Sequence, residues 1–218
     1  MELKFDIPFR CPDNIRPYLE KVFRGEYNVP VHIPEGAVIV DLGANFGSFS
    51  IWAAHRWPGA KVIGFEPHPE VFKTLKMNVA AYSQIEVHNW GIGNEGFRIL
   101  NDGPNNDGER SFHLAMNMVC PTGVHCEVKD PLTLPDCDVL KMDIEGCEME
   151  VLRPLIEVGK RPSLIMLEHH NHKLRREVDE LLKDYDLIGA DVYNIMGLGV
   201  AKYMRRDLVE GMINALIC

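Results

Sequence analysis

The stretch AVIVDLGANFGSFSIWAAHRW (37–57) joins a short apolar run to a segment of helical length through a turn that contains two glycines. A second apolar run, KVIGFEP (61–67), follows at once. Both runs are rich in Val and Ile and are bounded by Gly or Pro, as strands are, and the segment between them is long enough for about three helical turns. This part of the chain predicts a βαβ unit, whose two strands must be parallel.

The same alternation continues along the chain. Strands are predicted at the start of IEVHNWGIG (85–93), in CDVLKMDIEG (137–146) and in RPSLIMLEHH (161–170). Residues at helical spacing predict the helices between and after them: Phe72, Leu75, Val79 and Tyr82; Met149, Leu152, Leu155 and Ile156; Leu174, Val178, Leu181 and Leu182. Continuous apolar strands are typical of parallel sheets covered on both faces. The fold class is therefore α/β, with a doubly wound, mostly parallel sheet.

Three regions depart from this alternation. Residues 96–118 predict a β-hairpin inserted in place of a crossover helix, either as a flap over the substrate or as a neutral insertion. Residues 1–36 form a predicted N-terminal helical cap before the main domain, 37–218, and the stripe within 15–27 could roof a pocket or pack on the sheet edge. The last helix carries an apolar face that docks on the core or forms a homodimer interface; its residues are Val209, Met212, Ile213 and Leu216.

Composition excludes several classes of protein. The 218 residues are 46% hydrophobic and 25% charged, which is typical of a globular domain and not of a disordered chain. The formal charge of −9 disfavours bulk binding to nucleic acid or to anionic membranes. No apolar window is long enough for a membrane span or a signal peptide, and the six cysteines form no CxxC pair. We expect free thiols and a cytoplasmic protein.

The turn after the first strand predicts a nucleoside site. Gly43 and Gly47 allow close approach of the backbone, and Asn45 between them tolerates positive φ better than most residues. This GxxxG pattern is neither the GxGxxG of a dinucleotide site nor a P-loop, so it argues against a dehydrogenase. Glu66 ends the next strand, where a carboxylate can accept both hydroxyls of a ribose. Together Asp41, Glu66 and Asp143 make a negative strand edge that suits a sulfonium cation better than a phosphate.

Five motifs of the chain resemble those of the FkbM-type S-adenosylmethionine-dependent methyltransferases. They are VIVDLGANFGSFSI, GFEP, HNWGIGNEG, VLKMDIEGCEMEVL and IMLEHH, and the similarity extends over residues 26–170. The resemblance implies the class I methyltransferase (Rossmann-like) sheet with an antiparallel last strand, for which residues 186–204 could supply the final two strands. It also implies S-adenosylmethionine as the cofactor.

The same resemblance assigns roles to the cofactor-binding residues. Asp41, Gly43, Asn45 and Gly47 would form the turn facing the methionine part of the cofactor, and Glu66 would bind the ribose. Asn89 and Trp90 would lie beside the adenine. Trp90 departs from the family pattern, which more often has a small residue near this position, so packing of Trp90 into the core is the alternative.

Four residues are candidates for the catalytic chemistry: Asp143, Glu145, His169 and His170. Methyl transfer to an alcohol requires alignment of the reacting atoms and a group that accepts the hydroxyl proton. Asp143 ends a buried strand and could hold the cofactor, orient the acceptor or act as base. Glu145 could instead only stabilise a helix N-terminus. Neighbouring strand residues point to opposite faces, so His169 and His170 both face one ligand only if the strand has ended before them.

No metal site is predicted from the spacing of potential ligands. Glu168 with the two histidines after it could bind a divalent ion, but the spacing matches no known motif. The set His113, Cys120, His125 and Cys126 lacks the paired spacing of a zinc site.

The function predicted from the sequence is O-methylation of a hydroxyl on a small molecule, such as a sugar, polyketide, lipid-linked or peptide natural product. N-methylation of a nucleic acid or a protein is one alternative, against which stands the negative net charge. A non-catalytic cofactor-binding module is the other.

Overall fold

The computed structural model describes residues 9–100, 124–194 and 197–217. Seven of its strands form one twisted sheet: β1 (Val38–Leu42), β2 (Lys61–Phe65), β3 (Ile85–His88), β7 (Val139–Met142), β8 (Leu164–His169), β9 (Tyr185–Val192) and β10 (Gly199–Arg205). The five predicted strands and the two proposed for residues 186–204 are therefore confirmed.

The spatial order of the sheet is β3-β2-β1-β7-β8-β10-β9. The first five of these strands run parallel, and β10 runs antiparallel to both of its neighbours. The strand order reverses between β1 and β7, which leaves a crevice at the carboxyl ends of these two strands, where ligands bind in open α/β sheets.

Helices cover both faces of this sheet. They are α1 (Arg16–Lys21), which continues as a π-helical turn over Val22–Glu26, α2 (Ser48–Arg56), α3 (Pro69–Val79), α4 (Glu148–Glu157), α5 (His172–Leu181) and α6 (Arg206–Ile217). One apolar cluster holds residues of α2 and α3, and another holds residues of α4 and α5. Successive residues of β1, Ile39 and Val40, belong to opposite clusters, as the alternation of side chains along a strand requires. The doubly wound α/β fold is confirmed.

A smaller sheet contains β4 (Gly91–Ile92), β5 (Gly96–Leu100) and β6 (Val124–Lys129), in the order β4-β6-β5. The predicted hairpin begins where expected, at β5. Its described partner is β6, which is antiparallel to it and follows the predicted segment in sequence. The second predicted strand, together with His113 and Cys120, lies outside the described residues.

The two ends of the chain pack on the sheet in different ways. Val22, Phe23 and Tyr27 of the predicted N-terminal cap are buried in the same cluster as α2, so this segment shares the core of the sheet. In α6, Val209 contacts the core while Ile213 remains 50% exposed, and the side chain of Leu216 lies outside the described set. Of the described helices, none combines the length and the apolar character that crossing a membrane would require.

Candidate functional site

A cleft opens at the carboxyl edge of the sheet, where β1 and β2 end beside β7. Five of the predicted site residues line it: Gly43, Asn45, Glu66, Asp143 and Glu145. The remaining predicted residues lie outside its lining: Asp41, Gly47, Asn89, Trp90, His169 and His170. The cleft therefore combines residues from the predicted nucleoside turn with carboxylates from the predicted acceptor site.

The predicted glycine turn adopts the backbone that it requires. Gly43, Asn45 and Gly47 have φ values of 73°, 50° and 93°. A Cβ atom on Gly43 would lie 1.9 Å from the backbone oxygen of Asp143, so only glycine lets β1 and β7 approach this closely. At Gly47 a Cβ atom would meet Leu75 at 2.8 Å, which is a contact with α3 rather than with the cleft. The predicted tolerance of Asn45 for positive φ is confirmed.

Glu66 holds the turn in place as well as lining the cleft. Its Oε2 accepts a hydrogen bond from the backbone N–H of Asn45 at 2.9 Å, and its Oε1 accepts one from His68 at 2.8 Å. Burial raises the pKa of Glu66 to about 7, although both N–H groups favour the charged form. The carboxyl group thus changes its charge near neutral pH while it faces the cleft.

Asp41 supports the turn from behind the cleft. It is fully buried, accepts a hydrogen bond from Ser50 at 2.7 Å and lies 3.0 Å from the ammonium of Lys141. Lys141 also donates to the backbone oxygens of Leu42 and Gly43. Burial opposes the charged form of Lys141, but the carboxylates of Asp41 and Asp143 outweigh it and raise its pKa. Sequence reasoning missed Lys141, whose signal is a lone charge within the apolar strand VLKMD.

The two predicted adenine neighbours lie beyond the end of β3. Asn89 donates from Nδ2 to the backbone oxygens of Glu66 and Pro67, at 2.9 and 3.1 Å. Trp90 is half-buried, stacks on His88 with ring centroids 4.5 Å apart, and has the ammonium of Lys129 3.5 Å from its ring centroid. Both residues therefore have partners within the protein, and the adjoining lining of the cleft comes from Gly91 and Ile92.

The ends of β7 and β8 bring together a cluster of carboxylates around one histidine. His170 Nε2 lies 3.8 Å from Glu145, 3.7 Å from Glu148 and 3.9 Å from Glu168. Glu145 has a φ of 57°, a conformation that non-glycine residues adopt rarely and that is enriched at functional sites. Glu168, which the sequence suggested only as a possible metal ligand together with the two histidines, reaches this cluster with its side chain.

Burial and neighbouring negative charge strongly shift the pKa of Glu168. Burial, as the largest cause, and the nearby carboxylate of Asp143 together raise the pKa of Glu168 to about 10. Two carboxyl groups in contact cannot both stay ionised without a compensating positive charge. The cluster is therefore a place where a proton or a cation is held.

His169 and His170 point to different surroundings, as the strand alternation predicts. The strand β8 ends at His169, whose Nδ1 lies 2.6 Å from the backbone oxygen of Gly197. His169 is buried, and burial lowers its pKa. The histidine that shares the carboxylate cluster is His170.

Comparison with known proteins identifies relatives of the chain. A family profile described as "Methyltransferase FkbM domain" matches residues 41–187. "Methyltransferase 1" of Beauveria bassiana is 28% identical over 56% of this chain and 59% of its own length. "Hexuronic acid methyltransferase AglP" of Haloferax volcanii is 26% identical over 75% of this chain and 70% of its own length. The chain thus spans about three fifths of the Beauveria relative.

A solved structure shares the fold. The crystal structure of methyltransferase FkbM from Methylobacillus flagellatus aligns with a TM-score of 0.55 and 20% identity, over 80% of this chain and 45% of that chain. The doubly wound sheet is accordingly the Rossmann-like sheet of class I methyltransferases. Because the family profile covers most of the chain, the chain belongs to the FkbM family of methyltransferases.

Proposed function

We propose that this chain methylates a hydroxyl group of a neutral small molecule, such as a sugar or another natural product. The observation that carries the proposal is the cleft itself, which joins the nucleoside turn to the carboxylates of Asp143 and Glu145. Its negative lining suits a cationic methyl donor on one side and a group that accepts a proton on the other.

The residues at the turn fit S-adenosylmethionine. Asn45 Oδ1 is buried, lines the cleft and has no hydrogen-bond partner among the described residues, so it is free to accept a hydrogen bond from a ligand. The carboxylate of Glu66 has about four acceptor positions, of which two are used by backbone N–H groups, so it retains capacity for ribose hydroxyls. The cofactor supplies an electrophilic methyl group on a positively charged sulfur.

For the acceptor, the charge of the cleft argues for a neutral alcohol. The Haloferax relative is named for a hexuronic acid, which supports a carbohydrate as one substrate class. In this chain, however, the carboxylate of Glu145 in the cleft would repel an acceptor that carries its own carboxylate. We assign Glu145 as the general base, because it lines the cleft in a strained backbone conformation beside His170.

Replacing Glu145 with glutamine should lower turnover by about 10²–10⁴-fold, the usual contribution of general acid–base catalysis. Affinity for S-adenosylmethionine should stay within about twofold, because the substitution keeps the size of the side chain and leaves Glu66 and the glycine turn unchanged. Steady-state kinetics and calorimetric titration measure the two quantities. Glu157→Gln, at an exposed position of α4, is the control for loss of one negative charge. Unchanged turnover in the Glu145 variant would exclude it as the base.

Binding of S-adenosylmethionine should weaken about tenfold between pH 8 and pH 6. The pKa of Glu66 is raised by burial to about 7, so one unit below it only about a tenth of the carboxyl groups remain ionised to accept ribose hydroxyls. Glu66→Gln should bind about 10–100-fold more weakly at pH 8 and lose this pH dependence, since it removes charge-assisted hydrogen bonds. Glu70→Gln, at an exposed position of α3, should titrate like the parent protein. A pH profile that persists in the Glu66 variant would assign the titration to another group.

The direct test of the function uses S-adenosylmethionine with a deuterated methyl group and a panel of neutral sugars and other alcohols. Mass spectrometry should detect the labelled methyl group on an oxygen of the acceptor. In parallel, calorimetry should detect binding of S-adenosylmethionine but not of NAD. Transfer of label to nitrogen acceptors alone, or binding of NAD alone, would overturn the proposal.

A further inference from the structure

Three side chains from the ends of β7 and β8 form a cluster that the sequence spacing conceals. Asp143 follows β7, Glu168 lies near the end of β8, and His170 follows β8. One potential ligand atom from each of them, two carboxylate oxygens and an imidazole nitrogen, lies within 4.8 Å of the other two. Because β7 and β8 are neighbours in the sheet, the three side chains lie close together although Asp143 is far from the other two in sequence.

These polar groups are incompletely satisfied by the protein. His170 Nε2 is buried and has no hydrogen-bond partner in the described part of the chain. Its carboxylate neighbours stand 3.7–3.9 Å away, which is longer than a hydrogen bond. Glu148 is completely buried, and its Oε2 also has no partner among the residues described. Buried groups of this kind are costly unless something pairs with them.

The two carboxylates interact with the ammonium of Lys141 only at a distance, and His170, 3.9 Å from Glu168, can also carry positive charge. Within the described ranges, no lysine or arginine nitrogen lies within 4 Å of a carboxylate oxygen of Asp143 or Glu168, and the buried ammonium of Lys141 pairs with Asp41 instead. The spacing of the cluster suits a metal ion. With bonds of about 2.0–2.2 Å, neighbouring ligand atoms around an ion are about 3 Å apart and opposite ones about 4 Å apart. The candidate ligand atoms lie within 4.8 Å of one another, so binding of an ion would draw them closer together.

We propose that Asp143, Glu168 and His170 bind a divalent cation that accepts mixed oxygen and nitrogen ligands, of the Mn²⁺ type. Two carboxylates neutralise the ion, a neutral imidazole supplies the third ligand, and the buried carboxylate of Glu148 adds to the negative potential around it. Three protein ligands leave coordination positions open to water or to an acceptor.

The open coordination positions would give the ion a role in catalysis. Asp143 also lines the cleft, so an acceptor hydroxyl bound to the ion would lie beside Glu145. A bound divalent cation lowers the pKa of a coordinated hydroxyl and orients its oxygen, and the released proton passes to Glu145. This use rests on the proposed O-methyl transfer, whereas binding of the ion does not.

Binding of the ion is tested by titrating the full chain with Mn²⁺, without cofactor or acceptor, and monitoring the titration by electron paramagnetic resonance. One Mn²⁺ per chain is expected to bind to the parent protein, and binding should be at least about a hundredfold weaker in Glu168→Gln and in His170→Asn. Glu180→Gln, exposed on α5, removes the same charge as Glu168→Gln and should bind like the parent protein. Absence of binding at about 1 mM Mn²⁺, or equal binding by the Glu168 and His170 variants, would overturn the site.

Thermal unfolding distinguishes a folding defect of a variant from loss of its metal site. At a hundredfold excess of Mn²⁺ over its dissociation constant, the melting temperature of the parent protein should rise by about 5–10 °C, and that of Glu168→Gln should not rise. Without metal, Glu168→Gln should melt no lower than the parent protein, because it removes one of two carboxyl groups in contact. An equal rise with Mn²⁺ in both proteins would count against the site. Binding of Mn²⁺ without methyl transfer to any hydroxyl would refute the proposed function and leave the ion site supported.

Discussion

Replacing Gly43 with alanine is expected to destabilise the fold by about 2–5 kcal/mol and to abolish measurable binding of S-adenosylmethionine. The methyl group would lie 1.9 Å from the backbone oxygen of Asp143, so β1 and β7 would have to move apart. The backbone at Gly43 has a φ of 73°, which adds about 1–2 kcal/mol for any residue with a Cβ atom, and forced overpacking adds about 1–3 kcal/mol. The same movement would displace a residue that lines the cleft.

Gly36→Ala separates the two contributions. Gly36 also has a positive φ, 79°, but a Cβ atom there would meet nothing within 4 Å. It should therefore lose only the backbone contribution of about 1–2 kcal/mol and bind the cofactor like the parent protein. Urea unfolding and calorimetric titration measure both effects. Equal losses of stability in the two variants would mean that the contact with Asp143 does not limit the approach of the strands.

Replacing Lys141 with methionine should cost about 3–5 kcal/mol of folding free energy, the usual penalty for breaking a buried ion pair from one side. The ammonium lies 3.0 Å from the fully buried carboxylate of Asp41 and donates to the backbone oxygens of Leu42 and Gly43. Without it, Asp41 would remain buried beside carbonyl oxygens with no cation. Because those carbonyls belong to the cofactor turn, affinity for S-adenosylmethionine should fall as well.

Two further variants make this measurement specific. Lys73→Met breaks an exposed pair with Glu70 and should change stability by less than about 1 kcal/mol. The double variant Asp41→Asn, Lys141→Met should regain part of the loss, because it removes the unpaired buried charge. Chemical unfolding of the parent protein, Asp41→Asn, Lys141→Met and the double variant completes the cycle. A double variant that is less stable than Lys141→Met alone would argue against the isolated charge as the cause.

Much of the fold could be predicted because its signals are local. Apolar runs of strand length and apolar residues at helical spacing predict the parallel strands and the helices between them, since each element buries one side or both. The left-handed turn was also predictable, because Gly43, Asn45 and Gly47 are residue types that tolerate positive φ. The last two strands were inferred through the resemblance to the family, and the structure contains them.

The partner of β5 could not be predicted in this way. Its described partner β6 comes after a separation of more than twenty residues, and pairing over such a distance depends on tertiary packing rather than on a local turn. The roles of Asp41 and Lys141 were hidden for a similar reason. A charge within an apolar strand shows that a partner is needed, but only the packing of β1 beside β7 shows which partner it has.

The amino-acid sequence alone determined the α/β class, the alternation of the parallel strands with helices and the residue types at the carboxyl edge, because these follow from periodicity and from backbone preferences of single residues. Only the tertiary structure decided which of those residues meet. Asp143 and Glu168 are 25 positions apart in sequence, and the pairing of β7 with β8 brings their carboxyl groups together. The strand β8 ends at His169, whose side chain lies beside the backbone oxygen of Gly197, whereas His170 lies among the carboxylates. The two histidines differ because neighbouring side chains point to opposite faces and the strand stops between them.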